Sequence, residues 1–448
     1  MKSLQRNAGV NERMSPVGRT RTHRFARNWL ARFEERASGW RYTKECKRDR
    51  RLDLLRGFAV FAMIVDHIAG SSWLYVFSGG DRLFVSAAEG FVFISGVTVG
   101  MVYGDRMSAG GIRPTVKALY ARAWMLYALA IWLTLASGLM AAAFGPAKFE
   151  TLTPEVFFEV LTLQSAFPII DVVFLYAYLM LLAPLAFALM RRWGWKPLAL
   201  LSWGLWVTFQ LSPDKLDAYW GIAQTGIFSL VAWQVLFFSG MILGYEHGPN
   251  TRRSVPSSGP PRHYRRYITT LIVLSGVAIW AGMLLYAAFW FDSDAYMLAK
   301  STLPPWRLIG TALIFYLAWE VTTRLWRPLA ASVGPLLLPL GQGALYAYAA
   351  HVLLIAPAFT VQSLALRILG GSEDKVVELS VNTLVQLITL LLVWQLTRKR
   401  WLSSRFAPLG RPPVFLLRWR ADRRALCLPT ASLVLVIVAA MVARALTS

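Results

Sequence analysis

Residues 51–70, RLDLLRGFAVFAMIVDHIAG, decide how this chain folds. The stretch is apolar enough to enter a bilayer, yet it carries Arg56 near its start and Asp66 and His67 near its end. Ionisable groups at membrane depth are costly, and they face the bundle interior or a watery cavity. The stretch therefore predicts a membrane helix whose neighbours receive those side chains. Arg56 and His67 share a helical face to within about 20° and stand roughly 16 Å apart along the axis. Asp53 lies on the same face one turn before Arg56.

The rest of the chain agrees. Of 448 residues, 56% are hydrophobic and 16% are charged, where a soluble protein carries about a quarter charged. Eleven apolar runs, near 54–70, 83–103, 116–143, 169–190, 197–212, 220–244, 267–290, 307–326, 336–360, 379–397 and 429–445, suit a hydrocarbon core about 30 Å thick. The expected fold is all-α, a polytopic bundle of ten or eleven spans, the last run being short and interrupted by Arg444.

Charge orients it. With the basic N-terminus inside, the loops around Arg106/Arg113/Lys117, Arg191/Arg192/Lys196, Arg252–Arg266, Arg324/Arg327 and Arg398–Arg424 are cytoplasmic and basic. Those around Glu150/Glu155/Glu159, Asp214/Asp217, Asp292/Asp294 and Glu373/Asp374 are extracytoplasmic and acidic or mixed. This is the positive-inside pattern. It accounts for the net charge of +23 without a nucleic-acid partner, since no single face gathers the basic residues.

Residues 1–51 hold 15 Lys or Arg and no apolar run, so they form a basic cytoplasmic tail rather than a cleaved leader. Phe25, Trp29, Leu30 and Phe33 share one helical face there, suited to lying on the inner membrane surface. Residues 52–400 form the transmembrane domain, and 401–448 a basic cytoplasmic segment with the candidate last span. Cys46 and Cys427 both fall on the reducing side, and no cluster suggests a metal.

Several further polar residues fall at one depth, the extracytoplasmic half. Glu89 opens the second span, Asp171 the fourth, and His351 lies in the ninth on the face of Tyr348. Asp66, His67, Glu89, Asp171 and His351 are the candidate catalytic residues, with Asp53, Arg56, Arg82 and Tyr348 as candidates for substrate binding. A carboxylate near a helix start also offsets the dipole, which is the competing account of Glu89 and Asp171. Gly96, Gly100 and Gly104, with Ser95, form a small-residue stripe expected to pack a neighbour closely. Trp73 and Tyr75, just past the first helix, are candidates to support a sugar face.

The Arg56-to-His67 spacing in LDLLRGFAVFAMIVDH resembles that of membrane-bound acyltransferases acting on extracytoplasmic sugars. With SAAEGFVFISGVTVG at 86–100, DVVFLYAYLMLLAP at 171–184 and ALYAYAAH at 344–351, the chain is similar to the OpgC family. The resemblance covers about residues 50–400. It departs where the family has polar residues before the late Tyr-x-Tyr and this chain has Gly343 and Ala344.

The resemblance implies a multi-pass protein of the bacterial inner membrane. It would move a succinyl group from cytoplasmic acyl-CoA, with no bound cofactor, to hydroxyls of a periplasmic glucan. In that chemistry His67 takes the hydroxyl proton or carries the acyl group, and a carboxylate from another helix orients it. Arg56 holds the donor, and Arg82 is a candidate for the free carboxylate of a succinyl group. Two other readings use the same residues. One is a proton-coupled transporter of a polar or sugar-linked substrate; the other is an O-acetyltransferase of a different surface polysaccharide.

Overall fold

Asp49 starts the first helix, α1 (Arg50–His67), by accepting the Arg51 amide on its side chain at 3.0 Å, a standard N-cap bond. The Arg51 guanidinium returns to Asp49 at 2.7 Å and lies 4.1 Å over the Trp319 ring. The computed structural model describes residues 49–79, 85–144, 154–162, 169–212, 228–247, 270, 274–276, 281–282, 300–369 and 374–399. The structure is 90% helical with no strand among the described residues, so the chain is an all-α bundle.

After α1 come α2 (Tyr75–Ser78), α3 (Ala87–Gly110), α4 (Ile112–Phe144), α5 (Pro154–Leu161), α6 (Asp171–Trp193) and α7 (Trp195–Leu211). Then follow α8 (Leu230–Glu246), α9 (Pro305–Arg324), α10 (Trp326–Ser332), α11 (Gly334–Gln342), α12 (Ala344–Leu369) and α13 (Lys375–Lys399). Gly111 and Gly194, at φ 82° and 79°, are the sole residues between α3 and α4 and between α6 and α7. That left-handed conformation ends a helix in one residue and favours glycine.

Among the described residues five helices, α3, α4, α6, α12 and α13, are long and apolar enough to cross a membrane. A sixth joins them if α9 and α10, bent by 89°, count as one span. α1 is not among the five because Arg50, Arg51, Asp53, Arg56 and Asp66 lower its hydropathy. The runs expected near 54–70, 83–103, 116–143, 169–190, 197–212, 220–244, 307–326 and 379–397 fall on α1, α3, α4, α6, α7, α8, α9 and α13.

The run expected at 336–360 is corrected. It is two helices, α11 ending at Gln342 and α12 running from Ala344 to Leu369. Pro335 and Pro339 shape the short α11, and Gly343, where the helix breaks, sits against the Thr397 side chain. Pro184 lies inside a continuous α6. The amphipathic stretch 25–33, the basic connector 251–266, both cysteines, the run at 429–445 and most of that at 267–290 lie outside the described residues.

Two backbone-to-backbone seams hold the bundle. Gly96 and Gly100 of α3 face the backbones of Phe237 and Met241 on α8, while Gly240 and Gly244 of α8 face those of Phe93 and Val97. A Cβ at any of the four would run into a carbonyl oxygen. The small-residue stripe foreseen on α3 thus packs as expected, against a matching Gly-x3-Gly on α8. Gly57 of α1 and Gly341 of α11 form the second seam, each facing the other helix's backbone. Small residues permit such approach where lipid removes the hydrophobic drive between helices.

α13 is polar inside and apolar outside. Asn382, Gln386 and Thr389 are buried, while Leu384, Ile388 and Leu391 are exposed. That inversion is the membrane's version of amphipathicity, and it matters for the site.

Candidate active site

The candidate residues come from three helix ends: the C-terminus of α1, which ends in His67, and the N-termini of α3 and α6, which begin beside Glu89 and with Asp171. α12 contributes His351 from its second turn. His67 and His351 face each other, with Nδ1 of the first 3.2 Å from Nε2 of the second. Their ring centroids are 5.5 Å apart with 24° between planes, so the rings meet edge to edge. The His351 ring is fully buried.

Around this pair the interior is polar. Tyr348 meets His351 edge to face at 4.8 Å, and its hydroxyl donates to the carbonyl of Ile169. Asp171 and Tyr176 both lie within electrostatic range of Tyr348. Tyr176 in turn donates to the Phe91 carbonyl at 2.9 Å, bonds Ser95 and lies within range of Arg56. Arg56 bonds Thr98 on α3 and pairs with buried Asp53 at 3.8 Å. Two of the candidates on α1 therefore reach different helices, His67 towards α12 and Arg56 towards α3. Tyr176 of α6 and Tyr348 of α12 lie within electrostatic range of each other.

The family described as OpgC protein matches residues 48–401. The chain belongs to the OpgC family. No curated protein and no solved structure matches it. Membership in the OpgC family makes this an OpgC-like acyltransferase. The matched range contains His67, His351 and every other candidate site residue.

Within this OpgC member the remaining candidates separate by what they touch. Glu89 accepts from both the amide and the hydroxyl of Ser86, closing a capping box, and forms a fully buried ion pair with Arg307. The competing structural account of Glu89 is therefore on display, together with a partner that no local pattern suggested. Asp171 is buried and accepts the Val172 amide at 2.9 Å. Asp66 is half-buried beside His67. Asp53 is committed to Arg56, and Arg82 lies outside the described residues. Among the described residues no cluster of three or more His, Cys, Asp or Glu suits a metal ion.

Sequence reasoning missed Arg307, Lys300, Tyr176 and the amide side chains of α12 and α13. Lys300 is buried and lies within electrostatic range of His67. It precedes α9 in a segment pinned from outside, where Trp233 donates to the Lys300 carbonyl at 3.1 Å and Trp206 to the Leu303 carbonyl at 3.1 Å. Leu303, Ile169 and Ala69 are the three non-glycine residues at positive φ among the described residues, at 50°, 78° and 61°. Each has its carbonyl held by a side chain from another helix. Backbone strain of this kind persists only where its surroundings enforce it, and it clusters at functional sites.

Proposed function

We propose that this protein transfers a succinyl group from acyl-CoA to hydroxyls of a periplasmic glucan, from the inner membrane of a bacterium, with its N-terminus in the cytoplasm. The observation that carries the reading is the His67–His351 contact inside an OpgC-matched domain. We assign the proton of the 3.2 Å His67–His351 contact to Nδ1 of His67, with Nε2 of His351 accepting. His67 then carries its proton on Nδ1 and keeps a lone pair on Nε2, which suits a base.

In the proposed reaction the acceptor hydroxyl gives its proton to Nε2 of His67 as its oxygen attacks the thioester carbonyl carbon. The tetrahedral intermediate collapses, the C–S bond breaks, and the CoA thiolate takes the proton from the imidazolium. The ester and the free thiol balance the two substrates. Arg56 favours the donor. Exposed Trp73 and Phe77, beside the α1 terminus, offer apolar faces to a sugar. Lys300 supplies a cation compatible with an acyl group bearing its own carboxylate.

The experiment is mass spectrometry of periplasmic glucans from cells with the gene, without it, and with His67→Ala. The reading expects a succinyl mass increment only with the intact gene. An acetyl increment moves the donor to acetyl-CoA. An increment that survives His67→Ala removes His67 from the chemistry.

A further inference from the structure

α1 ends at His67, and the chain leaves it unwound. Ile68 is extended (φ −118°, ψ 129°), and Ala69 and Gly70 take left-handed angles of 61° and 72°. Four successive carbonyls, Ile68 to Ser71, therefore leave the helical pattern, the first two of them on wholly buried residues. Non-helical backbone at membrane depth is tolerated only where protein or water satisfies it.

Here three side-chain amides do so. Gln386 of α13 donates through Nε2 to the Ile68 carbonyl at 2.7 Å and the Gly70 carbonyl at 2.9 Å. Gln362 of α12 donates to the Ala69 carbonyl at 2.8 Å and to Oδ1 of Asn382 at 2.7 Å. Asn382 donates to the Ser71 carbonyl at 2.7 Å. Each glutamine thereby spends both of its amide hydrogens. Asn382 and Gln386 are wholly buried, as are Ile68 and Ala69.

We infer that Gln362, Asn382 and Gln386 are positioning residues for His67, a latch that fixes where its imidazole points by holding the four carbonyls that follow it. A side chain on the last residue of a helix has no later turn to brace it, so the path of the next residues sets its backbone. That path includes an alanine in a conformation L-residues rarely adopt, kept there by donors rather than by glycine. α12 grips this end twice, through His351 at the ring and through Gln362 at the backbone two residues on. The latch thus sets His67 relative to the same helix that carries its partner. The inference rests on the proposed role of His67.

The test uses full-length protein purified in detergent, with Gln386→Met and Gln362→Met as near-isosteric variants that cannot donate. Diethyl pyrocarbonate modification of His67 is followed by mass spectrometry, with exposed His247 as internal standard. In parallel, transfer from succinyl-CoA to a β-glucan oligosaccharide is measured for these variants, Gln386→Glu and His67→Ala. The latch predicts that His67 labelling rises several-fold in both Met variants while His247 labelling stays constant. It also predicts that kcat falls about 10- to 100-fold with the KM for succinyl-CoA unchanged. Gln386→Glu should regain turnover as pH falls, because a neutral carboxyl can donate where a carboxylate repels carbonyls. Wild-type labelling of His67 in both folded Met variants overturns the inference, whatever the activities. Transfer that survives His67→Ala instead overturns the base assignment, and the labelling comparison still decides the latch.

Discussion

Glu89 and Arg307 join the first turns of α3 and α9 through an ion pair that no solvent reaches. Two charges are stable there only because each answers the other, and Glu89 also accepts from Ser86. Removing one partner of a buried pair leaves the other uncompensated, at about 3–5 kcal/mol. Glu89→Gln and Arg307→Met should each destabilise the protein by that amount. The double variant should lose less than the sum, measured by denaturant unfolding in mild detergent. Additive losses would show that the two do not depend on each other.

His67→Ala should lower transfer by about 10²–10⁴-fold, the usual contribution of a positioned base. His351→Ala should cost up to about 10²-fold through misplacement of that base, and His351→Gln, which keeps an acceptor, should lose less. Release of free thiol from succinyl-CoA follows each variant. Equal rates for His351→Ala and the wild type would detach His351 from the reaction.

Lys300→Met should reduce turnover of succinyl-CoA by about 10- to 100-fold, the worth of a charge-assisted hydrogen bond, and leave any acetyl-CoA turnover unchanged. The ratio of the two rates is the measurement. A parallel fall with both donors would mean that Lys300 does not discriminate by acyl charge.

Tyr348→Phe removes the bond to the Ile169 carbonyl and keeps the ring against His351. Stability should fall by about 1 kcal/mol, and transfer should fall with it as the strained turn before Asp171 relaxes. Thermal midpoint and thiol release, measured together, test both halves.

Gly57→Ala and Gly341→Ala should each cost about 1–3 kcal/mol, because a methyl at either position meets the backbone of the other helix. Gly90→Ala, with nothing within 4 Å of its Cβ, should be neutral or stabilising by up to about 1 kcal/mol. Thermal midpoints of the three variants give the comparison.

What the sequence discloses follows from the range of each signal. The capping box at Ser86–Glu89, the glycine stripe on α3 and the charged first helix are local patterns, so they are visible in the residues themselves. Arg307 is 218 residues from Glu89, and His351 is 284 from His67. Such partners carry no spacing, and only the fold reveals them. A common depth was legible for His67 and His351, but not their contact. The latch had a signal that went unused: Asn382 and Gln386 are four apart in an otherwise apolar run, so one face of α13 is polar where lipid would exclude it. The break at Gly343 was hidden because α11 is as apolar as the span it interrupts.

The glycine seams have a mechanical consequence. α3 and α8 touch through their backbones at successive turns, as α1 and α11 do once, so each pair moves as one stiff strut with no side chains between to slide. On the proposed reading the acceptor is a glucan, far bulkier than a thioester, and needs a wide entrance. Any widening must come from elements outside these two pairs.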